Sequence, residues 1–513
     1  MQFQNFPSWR LTLISSISSP TLLSASRILD YTPSPAFMSR AATHIPAWEI
    51  ARGIRDREFS CGEVVDAHFR LIRRLDPRLN AFVCVDEERA RRDAKRADEA
   101  VALKRTLGPL HGVPITIKSS IDVAGLRCET GSRLRQGHIA ASDAPVVSRL
   151  KSAGAIVLGN TNVPEFLMAW ETRNPLYGTT NSPWDLERTP GGSSGGEAAA
   201  IAACCSAGGI GSDGGGSIRV PAHFSGICGL KPTPGRIPAT GHFPASAGPF
   251  SLLGVVGPMA RTVQDLQLMF DIIAGPDNGD PNAAPVPLRR PVDSMLRKLR
   301  IGCFEDNGRT PVTKETRAAV QHAAQALRDD GFTVESFRPE GLERALELWH
   351  VLFIDGVSFL LRQGYKDRES EMFEIVREVV AWSENDPPLT MDRLLDTLFS
   401  RDIVRSRFLE QMDRYPILLC PVSAGPAFRH GERSWDIEGK TVEYLDYFSY
   451  SQCFNLLGNP AAVVPVGVTS EGLPIGVQIV GRPWEEERVL AIAARLEQAG
   501  GWIEPPILKE QIL

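Results

Sequence analysis

The chain is predicted to fold as an α/β protein, a sheet sandwiched between helices. Two observations carry this. Short β-branched segments alternate with longer amphipathic ones, the pattern of a sheet covered by helices. The 513 residues are 43% apolar and 23% charged, ordinary proportions for a chain with a large core. Length alone allows two to three domains.

The elements follow in order. Residues 46–57 and 62–75 place apolar side chains at helical spacing, and in the second Val64, Val65, Ala67, Phe69, Leu71 and Ile72 largely share a face. Residues 86–105 are charged and alanine-rich, which favours an exposed helix. Residues 113–117 are short and β-branched, a strand that leaves Lys118 at or just past its end. A helix over 143–155 leads into a strand at 156–159, and the small residues of 194–206 make a tightly packed buried helix. Strand-like segments recur at 300–304, 417–420, 463–466 and 475–480, with helices at 314–330 and 485–500. Pro276, Pro281, Pro285, Pro287 and Pro291 mark 275–298 as a linker-like loop. Residues 340–415 are helical and hold Trp349, Phe353, Phe359 and Phe373. Such aromatics most often fill a core, and the segment is also a candidate substrate-pocket sub-region.

Residues 1–37 are rich in serine and proline with one acid, Asp30, and their apolar positions are broken at Ser15, Ser16, Ser18, Ser19 and Pro20. A signal peptide needs a continuous apolar run. These residues are read as a non-structural leader or a misassigned start, with Met38 as the true one, and 38–513 as one domain. A net charge of −5 points to neither nucleic acid nor an anionic membrane, and no run of about 18 apolar residues occurs. The nine cysteines are scattered, odd in number and without C-x-x-C spacing, which fits reduced thiols in the cytoplasm.

The chemistry lies in three segments: GVPITIKSS around Lys118, GGSSGGE around Ser193 and Ser194, and GSDGGGSIR around Ser217. Singly each is weak. The glycine loops lack the Gly-Lys-Ser/Thr of a phosphate loop and the spacing of a dinucleotide fingerprint, and a lysine after a strand is usually a surface charge. His111, His223 and His242 have neither a matching acid nor a nucleophile elbow. No metal-ligand spacing occurs, so no metal or organic cofactor is expected. Together the segments supply acyl transfer. A serine hydroxyl needs a base, and a carbonyl needs preorganised donors for its oxyanion. Gly214, Gly215 and Gly216 before Ser217 allow backbone N–H groups to converge through positive φ. Lys118 serves as base only when neutral. An unperturbed lysine titrates at about 10.4, and lowering it by about 3 units costs about 4 kcal/mol. Ile115, Ile117 and Ile121 offer the dry setting that does this.

In combination the chain resembles the amidase signature family from about Pro46 to Trp502. The matching segments are LHGVPITIKSSIDVAG, GNTNVPEF, NSPWD, RTPGGSSGGEAAAIAA, GSDGGGSIRVPA, GICGLKPTPGRIP, GVVGPMARTV, NLLGNPAAVVPVG and LPIGVQIVGRPWEE. The resemblance implies a mixed sheet of about eleven strands between helices. It implies Ser217 as nucleophile, Ser193 as a bridging serine after a cis peptide, and Lys118 as base. The backbone at Gly214, Gly215, Gly216 and Ser217 becomes the oxyanion hole, with Ser194, Asp213 and Arg219 holding the loops. Gly214 departs from the usual Thr, Ile or Ala, which implies a more flexible loop. A small-molecule amide, ester or carbamate is the expected substrate, and a homodimer the expected assembly. Variable segments form the pocket: 166–173 with Met168 and Trp170, 244–253, and 345–380. Their apolar content suits acyl or aryl groups, with urethanase-like carbamate hydrolysis as a sub-hypothesis. Arg173 is the nearest candidate to clamp a small acid. Two alternatives stand. One is the A subunit of a tRNA-dependent amidotransferase, against which Glu197 and Val220 replace the Ser and Gln usual there. The other is an inactive binding protein of the same fold.

Overall fold

The computed structural model describes residues 42–510; the leader expected at 1–37 lies outside them. The strands of the main sheet are β1 (Phe82–Val85), β2 (Pro114–Lys118), β3 (Ile156–Thr161), β4 (Gly208–Asp213), β5 (Cys228–Lys231), β6 (Val255–Ala260), β7 (Arg300–Cys303), β8 (Thr333–Ser336), β9 (Ile417–Pro421), β10 (Ala461–Val468) and β11 (Pro474–Gly481). They form one mixed 11-stranded sheet in the order β1-β3-β2-β4-β6-β5-β10-β11-β9-β7-β8. The α/β expectation therefore holds.

Side chains alternate across a strand, and the packing follows that alternation. Ile417, Leu419, Ala462 and Val464 join one apolar layer with Val64, Leu266, Val320 and Val489. Leu418, Cys420, Ala461 and Val463 join the other with Leu346, Phe408 and Phe454. The first layer is covered by α1 (Cys61–Leu79), α2 (Val263–Ile273), α3 (Lys314–Asp329) and α4 (Glu486–Glu497), the second chiefly by α5 (Leu342–His350), α6 (Met391–Arg414) and α7 (Ser449–Leu456). No helix among the described residues is long and apolar enough to cross a membrane.

Three parallel neighbours position the site. Strand β2 pairs in parallel with β3, Lys118 facing Thr161, and with β4, Ile117 facing Ile210. Lys118 and Asp213 thus end adjacent parallel strands at the same edge of the sheet. Outside the carboxyl ends of parallel strands is where open α/β sheets place their sites. Helix α8 (Gly195–Ala202) follows Ser194 directly, and all eight of its residues are buried. It packs this closely because its residues are small: a Cβ on Gly196 would stand 2.4 Å from the Asn162 nitrogen.

The predicted strands at 113–117, 156–159, 300–304, 417–420, 463–466 and 475–480 all exist within a few residues. Strands β4, β5 and β6 are not among the predicted ones. Glycine is a poor strand former, and GGIGSD reads as a loop. Here glycine is demanded by close approach: a Cβ on Gly257 would lie 2.1 Å from the Leu230 carbonyl oxygen. Residues 275–292 run without helix or strand before a short turn at Asp293–Leu296, and residues 340–415 are mostly helical. Gly257→Ala in the middle of the sheet is expected to cost about 1–3 kcal/mol by overpacking, read as a lower urea midpoint.

Candidate active site

Lys118 is fully buried, and its Nζ lies 2.7 Å from Ser193 Oγ, 2.9 Å from Ser194 Oγ and 3.0 Å from Ser212 Oγ. The Gly192–Ser193 peptide is cis. Burial pushes the Lys118 amine down to about 7, against the opposing pull of Asp213 and Glu197. Ser217 is half-buried and opens on the same cavity as Ser193 and Ser212.

Asp213 organises the loop after β4. Its Oδ1 accepts from the Gly216 N–H at 2.7 Å, and its Oδ2 from the Ile218 N–H at 3.1 Å. Arg219 donates to both oxygens, each at 3.0 Å. Burial alone would push this carboxyl up. The Arg219 guanidinium more than reverses that and holds it well below the usual carboxylate range. The Gly216 N–H, expected to stand free with its neighbours, is therefore already engaged. Among the described residues no acceptor takes the N–H groups of Gly214, Gly215 or Ser217. Of the three glycines only Gly216 has positive φ, at 120°. The other two are required by close packing. A Cβ on Gly214 would stand 2.8 Å from Phe353, and one on Gly215 2.6 Å from Trp349. The Trp349 and Trp170 indoles each donate at 2.9 Å, to the carbonyls of Gly214 and Gly215 respectively. The flexibility implied by Gly214 is thus met by two aromatic clamps.

The cavity at Ser217 has a volume of about 500 Å³, with Phe166, Met168, Phe243, Phe250, Phe353 and Tyr365 in its wall. Met168 falls where the sequence placed it. Trp170 does not line this cavity but, with Met168 and Phe353, a small one that also reaches Ser217; it is buried, stacked on Phe448 at 4.5 Å, and its indole serves the loop. Arg173 is also displaced from it, paired with Glu374 and lying over the Phe373 ring. Of the three histidines, His223 has both ring nitrogens occupied by Gly425 and Gly476 backbone, and His111 bonds the Ala97 carbonyl. Only His242 lines the cavity, with Nδ1 on the Pro244 carbonyl. A larger polar groove of about 1130 Å³ near Glu305 and Glu343 contains none of these residues.

Sequence reasoning missed Ser212, Asn455 and Gln478. Asn455 Nδ2 donates to Asp213 Oδ1 at 3.0 Å and to the Leu253 carbonyl. Gln478 Oε1 accepts from Arg219 at 3.2 Å. The available signal was a polar side chain inside an apolar strand, as in PIGVQIVG.

A buried lysine among serines at the carboxyl edge of a mixed sheet, facing an aspartate-folded glycine loop, brings the three sequence motifs together in one place. The amidase family model matches residues 63–490. The chain is 34% identical over 468 residues to an acylamidase of Rhodococcus erythropolis, covering 90% of this chain and 96% of that one. It is 33% identical over 483 residues to the A subunit of the glutamyl-tRNA(Gln) amidotransferase of Carboxydothermus hydrogenoformans, covering 89% and 97%. The crystal structure of a bacterial aryl acylamidase superposes with a TM-score of 0.78 at 27% identity, covering 89% and 96%. The chain belongs to the amidase signature family.

Asp213→Asn leaves the Arg219 charge buried without its partner and is expected to destabilise the fold by about 3–5 kcal/mol in urea unfolding. A carboxyl held low contributes its stability in full above the ordinary carboxylate range. It loses that contribution progressively as pH falls from the ordinary carboxylate range through its depressed value. The gap between wild type and Asp213→Asn therefore stays constant across neutral pH.

Proposed function

We propose that the protein hydrolyses amides of apolar or aryl groups through a Ser217–Ser193–Lys118 relay. The carrying observation is the fully buried Lys118 amine 2.7 Å from Ser193 Oγ. Ser217 Oγ attacks the carbonyl, and its proton passes through Ser193 to Lys118. The N–H groups of Gly214, Gly215 and Ser217 receive the oxyanion. Lys118 returns the proton through Ser193 to the leaving nitrogen. Water, deprotonated by the same pair, then attacks the acyl-enzyme and releases the acid. Loss of one oxyanion donor in such a site costs about 10²–10³ in rate.

Four oxygens surround the amine, the hydroxyls of Ser193, Ser194 and Ser212 and the Ser212 carbonyl at 3.4 Å. A neutral amine can therefore take the Ser193 proton on its lone pair while both of its N–H groups stay hydrogen-bonded.

The aromatic cavity wall supports amides with apolar or aryl groups, and the same acyl-enzyme chemistry extends to esters and carbamates. The amidotransferase reading is disfavoured by that wall and by Val220, which is buried in the core against Gly216. The nine cysteines are all free thiols, which suits a cytoplasmic enzyme.

The test is turnover on paired p-nitroanilides and nitrophenyl carbamates, beside Ser217→Ala and Lys118→Ala. Both variants are expected to lose activity. Turnover retained by Ser217→Ala would remove it as nucleophile, and silence of the wild type on all substrates would favour a binding role or a partner-dependent enzyme.

The base acts neutral, so kcat/KM is expected to fall as pH drops through about 7. The same burial penalises folding wherever the unfolded lysine is charged. Lys118→Met is therefore expected to abolish turnover while raising the urea midpoint. That gain is largest at and below about pH 7 and vanishes as pH rises to the ordinary lysine value.

A further inference from the structure

A second ionisable group is sealed in behind the base. Glu197, in the first turn of α8, is fully buried. Its Oε1 occupies the space a Cβ on Gly209 would need, 1.8 Å from that position. Thr116 lies two residues from Lys118 on β2, hence on the same face, and its hydroxyl contacts Glu197 Oε1. Thr161 Oγ1 donates to Oε2 at 2.7 Å. Burial pushes the Glu197 carboxyl up to about 7, with Thr116, Thr161 and Lys118 pulling it down.

Proton counting decides which form fits. Each hydroxyl has a single proton to give. Ser206 gives its own to the Gly208 carbonyl at 2.8 Å. Its contact with Thr116, at 3.0 Å, is then made by the Thr116 proton. Thr116 has none left for Glu197, so that bond is completed by a proton on the Glu197 carboxyl. As an anion, Glu197 would rest on one hydroxyl donor, Thr161, and a buried charge so poorly supplied with donors is disfavoured. As an acid, it donates to Thr116 and accepts from Thr161.

The other charged groups around Lys118 are already committed. Asp213 is bound to Arg219 by two hydrogen bonds. His242, which feels Lys118, is pushed down to about 4 by burial, so it is neutral at neutral pH. Two carboxylates pull on the amine, Asp213 first and Glu197 second, and only Glu197 has no cationic partner of its own among the hydrogen bonds it makes.

We propose that Glu197 holds a proton at neutral pH, a positioning residue that packs behind Lys118 without becoming its counter-ion there and so leaves the amine free to act as base. The role rests on the reading of Lys118 as base; the protonation state does not. An ionised Glu197 would stabilise the ammonium form and raise its proton affinity.

A difference infrared spectrum, wild type minus Glu197→Gln, reads the protonated carboxyl without needing turnover. The expected result is a carboxylic acid band at neutral pH that the variant lacks and that wild type loses as pH rises. The acid limb of kcat/KM should stay where wild type has it. No band at neutral pH overturns the proposal. So does an acid limb carried down by about a pH unit, the effect of removing a counter-anion. Where Glu197→Gln does not fold, Thr161→Val removes the one donor available to the anion. The band should then persist to higher pH than in wild type, and its absence overturns the proposal equally. A band present beside an active Lys118→Ala sinks the base assignment, and with it the role, but not the protonation state.

Discussion

Asp213 holds a charge with no access to water because Arg219 meets both of its oxygens and Asn455 adds an amide donor. The loop geometry follows from that saturation. The carboxylate draws in the N–H groups of Gly216 and Ile218. The Arg219 N–H adds a third such bond at 3.4 Å, and a chain folded around these amides turns the others between Asp213 and Ile218 elsewhere. The N–H groups of Gly214, Gly215 and Ser217 are the ones left without an acceptor among the described residues. A buried ion pair is weak evidence for stability in itself. Here its consequence is conformational: it selects which amides of a glycine loop are engaged.

The same pair engages Asp213 so that its carboxylate makes no hydrogen bond to the lysine. Lys118 touches only hydroxyls and a carbonyl, and burial disfavours its cation more than Asp213 and Glu197 favour it. A lysine amine beside an uncommitted carboxylate would stay protonated. The sheet therefore solves two opposed problems a few residues apart. It stabilises an ion pair at the end of β4 and destabilises a cation at the end of β2. Strand register holds the two together, since β2 and β4 are direct neighbours.

Most of this chemistry is legible in the sequence because spacing survives folding. Lys118, Ser193 and Ser194 converge as the three motifs imply, and the strands rich in β-branched residues announce themselves. The central strands β4, β5 and β6 do not, since Gly209 and Gly257 are dictated by neighbours that propensity cannot see: the Glu197 carboxyl and the Leu230 carbonyl. Trp170 reads as pocket wall because an aromatic near a site suggests substrate contact; it borders a small cavity at Ser217, and its indole N–H also serves a loop carbonyl, which the sequence does not announce. Arg173 reads as a clamp, yet its charge is spent on Glu374. Asn455 and Gln478 lie more than 230 residues beyond Arg219 in sequence and touch it only through the fold.

The aromatic clamp joins substrate selection to rate. A trans peptide is planar, so its C=O and N–H point in opposite directions. Trp349 holds the Gly214 carbonyl, and that fixes the direction of the Gly215 N–H on the same peptide unit. Trp349 in turn stacks on Phe353 at 4.7 Å, and Phe353 forms part of the cavity wall. A substrate group seated against Phe353 therefore leans on the support of a candidate oxyanion donor. On the proposed mechanism, the helical segment that carries both rings would act on the reaction through this contact as well as on binding. Substitutions at Phe353 would change kcat together with KM, whereas those at the far wall, such as Phe243, would change mainly KM.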